Sequence, residues 1–304
     1  MNRMKIGASI FGALIATAMM SGGDATADGS AAAGANLVYG KQIPPDQIEF
    51  LSTPDRIMSV GRGNVGASAI WETLEHGEYV ECLDCVPVVA NLLYDGNKDN
   101  REIAAWWLRR RIFGVYGIGE VYEQTVKTLE SNPDATKRGY AASALGEFLA
   151  LAGVPHLANA LNTDSSPFVR SSAAAALGRL NDSGGGALSA GMTDKDESVR
   201  IASVTAAGKV NSFADAVSVA KTTGDSSAAV RMKGVELLGT MHAKDALGSL
   251  IALAQNDPNA DVRAAAAHSL GMLHDVSARP ALEGLQSDPN QFVRDAARIA
   301  LRRL

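Results

Sequence analysis

One arginine returns along this chain about every 31 residues, and that period restricts the fold more than any other feature of the sequence. It stands at Arg101, Arg138, Arg170, Arg200, Arg231, Arg263 and Arg294, at intervals of 37, 32, 30, 31, 32 and 31 residues. A self-similar unit of that length is one supersecondary element, too small to bury its own apolar face, so successive copies must stack on each other. Small or apolar residues recur three, four, seven and ten places after the arginine, as at Ala173, Ala174, Leu177 and Leu180. This is helical periodicity with one buried stripe per helix. Aromatic residues are only 5 % of the chain while alanine and glycine are abundant, which suits closely packed short helices better than a sandwich or a barrel. The predicted fold is all-α: an α-solenoid of about seven helix pairs over residues 85–304, preceded by an irregular N-terminal cap over 37–84.

Two further markers keep step with the arginine. Glycine follows it by eight residues at Gly146, Gly178, Gly208, Gly239 and Gly271, where alanine would favour the helix by about 1 kcal/mol. Close contact with a neighbouring helix is the expected reason. Aspartate precedes it by six residues at Asp95, Asp164, Asp194, Asp225, Asp257 and Asp288. In the turn before the second helix such a carboxylate can accept free backbone N–H groups and meet the arginine of its own or the adjacent unit. The expected result is a ladder of Asp95, Arg101, Asp164, Arg170, Asp194, Arg200, Asp225, Arg231, Asp257, Arg263, Asp288 and Arg294. Around Arg138 the nearest aspartate is Asp134, four residues before it, which puts that rung in question.

With these markers in place, the run from Asp164 through Leu180 resembles the HEAT repeats of the kind shared with phycobilin lyases, and the resemblance extends over about Cys85 to Leu304. It implies a stack of helix pairs whose second helices line the inner curve. The same class includes scaffolds, adaptors and a few enzymes, so it fixes no activity. The His-Glu pairs that carry iron in the deoxyhypusine hydroxylase branch are missing, since none of the five histidines precedes a glutamate.

Residues 1–27 read as a secretion signal: Arg3 and Lys5 open it, Ile6 to Met20 is apolar, and Ala25-Thr26-Ala27 is a small-x-small cleavage site. The mature chain is expected to begin at Asp28, in the periplasm or outside the cell, with no membrane insertion. Residues 28–36, rich in Gly, Ala and Ser, read as a flexible linker. The sequence carries 28 basic and 33 acidic residues, a net charge of -5, which argues against a nucleic-acid partner.

Several motifs carry possible chemistry. Gly61-Arg62-Gly63-Asn64-Val65-Gly66 matches a dinucleotide fingerprint after a possible strand, Arg56 to Val60, and before a helix at Ala67. A dinucleotide fold needs several parallel strands, which the helix pairs after Cys85 do not provide, so no cofactor is expected. Cys82 and Cys85 form Cys-Leu-Asp-Cys. In an oxidising compartment they are expected to form a short disulfide that pins the cap to the first repeat; a redox-active pair, a metal site or an intermolecular bond are the alternatives. No metal site is assigned. His242 and His274 each lie eleven residues after their arginine and read as helix-end residues. In Ala105-Trp106-Trp107-Leu108-Arg109-Arg110-Arg111, both rings are expected to pack under the cap while the three arginines face solvent; the alternative makes Trp106 and the arginines an anchor for an acidic partner.

Nothing in the sequence assembles a nucleophile with a base. The expected function is that of a scaffold binding a protein or peptide. Positions two, five and nine after the arginine fall between the buried stripes, giving a polar strip of Trp106, Arg110, Tyr140, Glu147, Arg179, Lys209, Lys233, Glu236 and His268. The alternative is a lyase-like or redox accessory enzyme using Cys82 and Cys85 with the nearby His76.

Overall fold

The structure, a computed structural model, describes residues 53–63, 65–112 and 119–304, together with the backbone of two short strands. The strands, β1 (Asn36–Val38) and β2 (Lys41–Ile43), pair antiparallel with Leu37 opposite Gln42. They belong to a unit spanning residues 1–45, and the helices to a second unit spanning 46–304. The signal expected over 1–27 and most of the linker expected over 28–36 lie outside the described residues.

Helices α1 (Pro54–Met58) and α2 (Ala67–His76) precede seven pairs. These are α3 (Cys85–Asn91) with α4 (Lys98–Arg109), α5 (Glu120–Ser131) with α6 (Ala135–Glu147), and α7 (Val154–Thr163) with α8 (Pro167–Leu180). There follow α9 (Ala187–Gly191) with α10 (Glu197–Ala207), α11 (Ala216–Lys221) with α12 (Ala228–Thr240), α13 (Leu247–Asn256) with α14 (Ala260–Leu273), and α15 (Arg279–Gly284) with α16 (Gln291–Leu301). The helical stripe is buried as its spacing requires: Ala173, Ala174 and Leu177 are fully enclosed and Leu180 nearly so.

The second helices begin alike, except that α6 has Asn132 in place of the turn aspartate and the Ser166 side chain at the start of α8 makes no capping bond. The aspartate six residues before the arginine folds the turn by accepting the N–H two residues on, as Asp164 does from Ser166 and Asp257 from Asn259. The residue at the end of that turn then caps the helix: Asn97, Asp134, Asp196, Ser227, Asn259 and Asn290 each accept a hydrogen bond from its first turn. A cap of this type is worth about 1 kcal/mol.

The glycines explain how closely the second helices approach. A Cβ added to Gly178 would stand 2.8 Å from Ala206 Cα, one on Gly146 would stand 2.8 Å from Ala176 Cβ, and one on Gly271 would stand 2.7 Å from Ala300 Cα. At Gly239 the obstacle is Ser269, whose hydroxyl would be 2.6 Å away. In every case the facing residue lies six places after the next arginine and is small. Gly208 is the exception to the sequence expectation: it faces Leu237, whose nearest atom would be 3.7 Å from an added Cβ. The long side chain holds the next helix off. Gly178→Ala is therefore expected to lower stability by about 1–3 kcal/mol through overpacking, whereas Gly208→Ala should be neutral or raise it by up to about 1 kcal/mol. Thermal unfolding of the two variants checks this, and equal losses at both positions would contradict it.

The cap is held by α4. Trp107 is fully buried and donates its indole N–H to the Gly77 carbonyl at 2.8 Å. Arg111 is also buried, contrary to the expectation of a solvated side chain. Its guanidinium stacks 3.5 Å from the Trp107 ring centroid and donates to the carbonyls of Glu78 at 2.8 Å and Val80 at 2.9 Å. An aromatic face and carbonyl acceptors both stabilise a cation in the interior.

The strand expected over Arg56 to Val60 is instead α1 followed by a 3-10 turn, Ser59–Gly61. Thr53 caps this helix, accepting the Arg56 N–H at 3.3 Å, and Pro54 opens it, a start signal that outweighs the β-branched residues after it. The glycine run thus follows a helix, and the dinucleotide geometry is not formed. Cys82 and Cys85 stand with their Cα atoms 5.3 Å apart, within disulfide reach, and Cys85 opens α3. A link between residues three apart fixes only a turn, so the pinning of the cap falls to Trp107 and Arg111.

Candidate functional site

The arginine ladder runs between repeats. Arg138 grips Asp164 with Nε at 2.7 Å and Nη2 at 2.9 Å, and Arg170 grips Asp194 with both at 2.8 Å. Arg200 with Asp225, Arg231 with Asp257 and Arg263 with Asp288 repeat the geometry. The third nitrogen, Nη1, turns back to the main-chain carbonyl six residues before the arginine in its own repeat, as Arg170 does to Asp164 at 2.9 Å and Arg138 to Asn132 at 2.8 Å. Each arginine therefore ties its own turn to the next one.

Burial works to raise the carboxyls of Asp164, Asp194, Asp225 and Asp257. The arginine hydrogen bond, the turn's N–H and the surrounding positive charge outweigh it and leave all four below the ordinary range. For Asp288 the Arg263 hydrogen bond is the largest influence, with the same outcome.

Two rungs differ from the sequence expectation. Arg138 is fully engaged, because its partner is Asp164 and Asp134 serves as the helix cap. Among the described residues, the arginine that is followed by another repeat yet closes on no carboxylate is Arg101, since the matching turn position of the second repeat is Asn132. Asp95, at the first turn, accepts only the Asn97 N–H among the described contacts, and Arg294 bonds only to the carbonyls of Asp288 and Pro289.

Two histidines, His242 and His274, serve the same stacking. His242 Nδ1 lies 2.8 Å from the Met272 carbonyl and His274 Nδ1 lies 2.8 Å from the Arg303 carbonyl. A carbonyl only accepts, so Nδ1 carries the proton in both, and each ring ties one helix end to the next. Among the described residues no group of three metal-ligating side chains comes together.

A cleft of about 380 Å³ opens on the face formed by the second helices of the first three repeats, with Lys209 of the fourth at its edge. Positions two, five and nine after Arg138 (Tyr140, Ser143, Glu147) and after Arg170 (Ser172, Ala175, Arg179) all line it. Tyr140 packs edge-on to Phe168, with ring centroids 6.0 Å apart, and the Arg101 guanidinium lies 3.9 Å over the Tyr140 ring. Glu147 is paired with Arg179. Burial raises its carboxyl, and the Arg179 hydrogen bond offsets only part of that.

Lys209 also borders a shallower depression of about 210 Å³ lined by Lys233 and Glu236, which are paired at 2.8 Å. Tyr140, Glu147, Arg179, Lys209, Lys233 and Glu236 thus fall on one continuous strip. His268 is exposed further along, with Arg303 Nη1 3.5 Å from its Nε2.

The first repeat departs from the spacing rule. Trp106 packs partly buried against the core, and Arg110 lies 4.5 Å over Tyr79 and 3.3 Å from Glu78, both of the cap. α4 borders the cleft with Lys98, Arg101 and Glu102 instead. Sequence reasoning placed Arg101 in the ladder and missed its position in the cleft. The available signal was Asn132, the one turn position without an aspartate. A larger hollow of about 480 Å³ between α3 and α5 is mainly apolar, and the guanidinium of its Arg111 is already bonded to carbonyls.

Stacked helix pairs joined by an interrepeat ladder define an α-solenoid. The HEAT-repeat family model matches residues 122–190 and 216–302, more than half of the sequence, and the chain belongs to that family. No curated protein matches the sequence. Among solved structures, the Escherichia coli protein YibA shares 15 % identity at a TM-score of 0.56, covering 87 % of this chain and 99 % of its own. An archaeal HEAT-like repeat protein from Thermococcus onnurineus shares 17 % identity at a TM-score of 0.50, over 72 % of this chain and 96 % of its own. Kap95p, solved with RanGDP, shares 15 % identity at a TM-score of 0.54, over 82 % of this chain and 40 % of its own. These likenesses concern the fold alone.

Proposed function

We propose that this chain is an exported scaffold that binds a protein or peptide partner along the concave, second-helix face of its solenoid. The observation that carries this reading is the strip on which two clefts share Lys209, with basic, acidic and aromatic side chains interspersed. A mixed strip suits a polypeptide surface better than a phosphate track, and a solenoid presents such a face over many repeats. Kap95p, with the same fold, is a protein-binding example.

The enzyme alternative has less support. Cys85 is fully buried, so it is poorly placed for attack on an external substrate, and His76 Nδ1 lies 2.7 Å from the carbonyl of Glu72 in its own helix. The reading of Cys82 and Cys85 as a structural disulfide in an exported chain is checked by thiol titration of the purified protein together with its N-terminal residue. The expected outcome is no free thiol and a start at Asp28.

The central test is a pull-down from a native envelope extract followed by affinity measurement. The double change Arg179→Glu, Lys209→Glu is expected to weaken partner binding by roughly tenfold or more with unchanged helix content, because it reverses charge at the centre of the strip and sets a second carboxylate beside Glu147. Unchanged affinity in that variant, with affinity lost in Trp106→Ala, moves the site to the cap end.

A further inference from the structure

Six of the ladder arginines are followed by another repeat, and five of them close on its carboxylate. The sixth, Arg101, lines the deeper cleft. The cause is a single change in the pattern. Asn132 still closes its turn by accepting the Asp134 N–H at 2.9 Å, and its carbonyl still receives Arg138 Nη1 at 2.8 Å. The backbone frame is intact and only the charge is missing. Arg101 keeps its own-repeat bonds from Nη1 to the carbonyls of Asp95 at 2.7 Å and Gly96 at 3.0 Å. Its Nε and Nη2, the edge that holds a carboxylate in the other five, have no acceptor among the described residues.

The other charges of the cleft leave the same vacancy. Lys98 is paired with Glu102 at 3.2 Å and Arg179 with Glu147, so the two carboxylates lining the cleft are matched and Arg101 and Lys209 are not. A guanidinium fixed by two carbonyls and stacked on Tyr140 has little freedom left to lose, which strengthens any bond its open edge makes.

We propose that Arg101 receives a carboxylate from the ligand of this cleft, in the two-pronged geometry of the five closed rungs, with Tyr140 as its platform. The ligand is an acidic stretch of polypeptide, the carboxylate being an Asp or Glu side chain or a chain terminus. This rests on the reading of the second-helix face as a binding surface and names its chemistry. Carboxylate is favoured over phosphate because the same fork in this chain closes on carboxylates at 2.6–2.9 Å from Nε and 2.8–3.0 Å from Nη2.

Asn132→Asp tests the proposal by supplying the missing carboxylate from within the chain. It should raise the melting midpoint by about 3 °C, the scale for one charged hydrogen bond in a chain of this size, and move the Arg101 Nε–H NMR signal toward those of the closed rungs. In the unaltered protein, the peptides Ac-Ser-Asp-Ser-NH2 and Ac-Ser-Ser-Ser-OH distinguish a side-chain from a terminal carboxylate, and at least one should shift the Arg101 signal. Ac-Ser-Asn-Ser-NH2 should not. Asn132→Asp should abolish the response, and Arg101→Lys, followed by the peptide's own signals, should weaken binding roughly tenfold. No response to either carboxylate peptide, a response that survives Asn132→Asp, or a stronger response to inorganic phosphate overturns the proposal. A captured partner lost on Arg179→Glu, Lys209→Glu but indifferent to Asn132→Asp also overturns it while leaving the binding face in place. A carboxylate response with no partner captured supports the site and removes the scaffold reading.

Discussion

Replacing Trp107 with alanine is expected to cost about 3–5 kcal/mol, the range for emptying an aromatic site in a closed core. The ring is fully enclosed, so the neighbours cannot refill its volume from solvent. Two further losses come with it. The Gly77 carbonyl loses its indole donor, and Arg111 loses the face on which it stacks while still occupying a buried position. Because both groups join the cap to the first repeat, the damage should appear first as release of residues 54–80, seen as rapid hydrogen exchange there with protection kept in α8 to α16. Trp107→Phe separates the contributions: it keeps most of the apolar contact, and its expected loss is about 1–2 kcal/mol from the hydrogen bond alone. Uniform loss of protection along the whole chain would show that the cap is no separate unit.

The second large effect belongs to the ladder. Asp257 is its most enclosed carboxylate, with a side chain only 2 % exposed, and Arg231 beside it is 12 % exposed. Asp257→Ala leaves that guanidinium edge buried without a counter-charge and also removes the acceptor of the Asn259 N–H, for an expected loss of about 3 kcal/mol. A double-mutant cycle identifies the partner. Coupling between Arg231→Ala and Asp257→Ala should be about 2 kcal/mol, and coupling to Asp225→Ala below about 0.5, because Arg231 uses only the main-chain carbonyl of Asp225.

The same pairs set the acid limit of the fold. A carboxyl held low in the folded chain but ordinary in the unfolded one stabilises the fold above its unfolded value, about 3.9, and that contribution disappears as pH falls through the folded value. With Asp164, Asp194, Asp225, Asp257 and Asp288 all held low, acid unfolding should begin below about pH 4 and proceed steeply. Asp257→Asn should flatten that transition.

What the sequence made legible is what each repeat needs from the next. The arginine, its aspartate and the apolar stripe recur because every interface has the same geometry, and the period therefore carried the architecture. Which aspartate an arginine takes was not legible, since six residues back in its own repeat and some 25 ahead in the next are both regular spacings. Arg111 was misread because a run of three arginines looks solvated until Trp107 and the carbonyls of residues 78 and 80 close around one of them. Gly208 was grouped with four glycines of identical spacing, although the bulk of Leu237 gives it a different role. For the cleft, the spacing rule located Tyr140, Glu147, Arg179 and Lys209. It failed in the first repeat, where the cap engages Arg110 and the opening turn of α4 contributes to the cleft.

The interface at Gly208 has a mechanical meaning. At Gly146, Gly178, Gly239 and Gly271 adjacent second helices meet so closely that a methyl group has no room, and sliding there compresses the small residue opposite. At Gly208, between α10 and α12, the facing atom is the end of Leu237, while Arg200 and Asp225 are paired along one edge. A joint clasped on one side and cushioned on the other yields more readily than one closed on both. Bending between the tightly packed repeats on either side is expected to be easier there, and it would change the spacing of Lys233 and Glu236 from Tyr140 and Arg179.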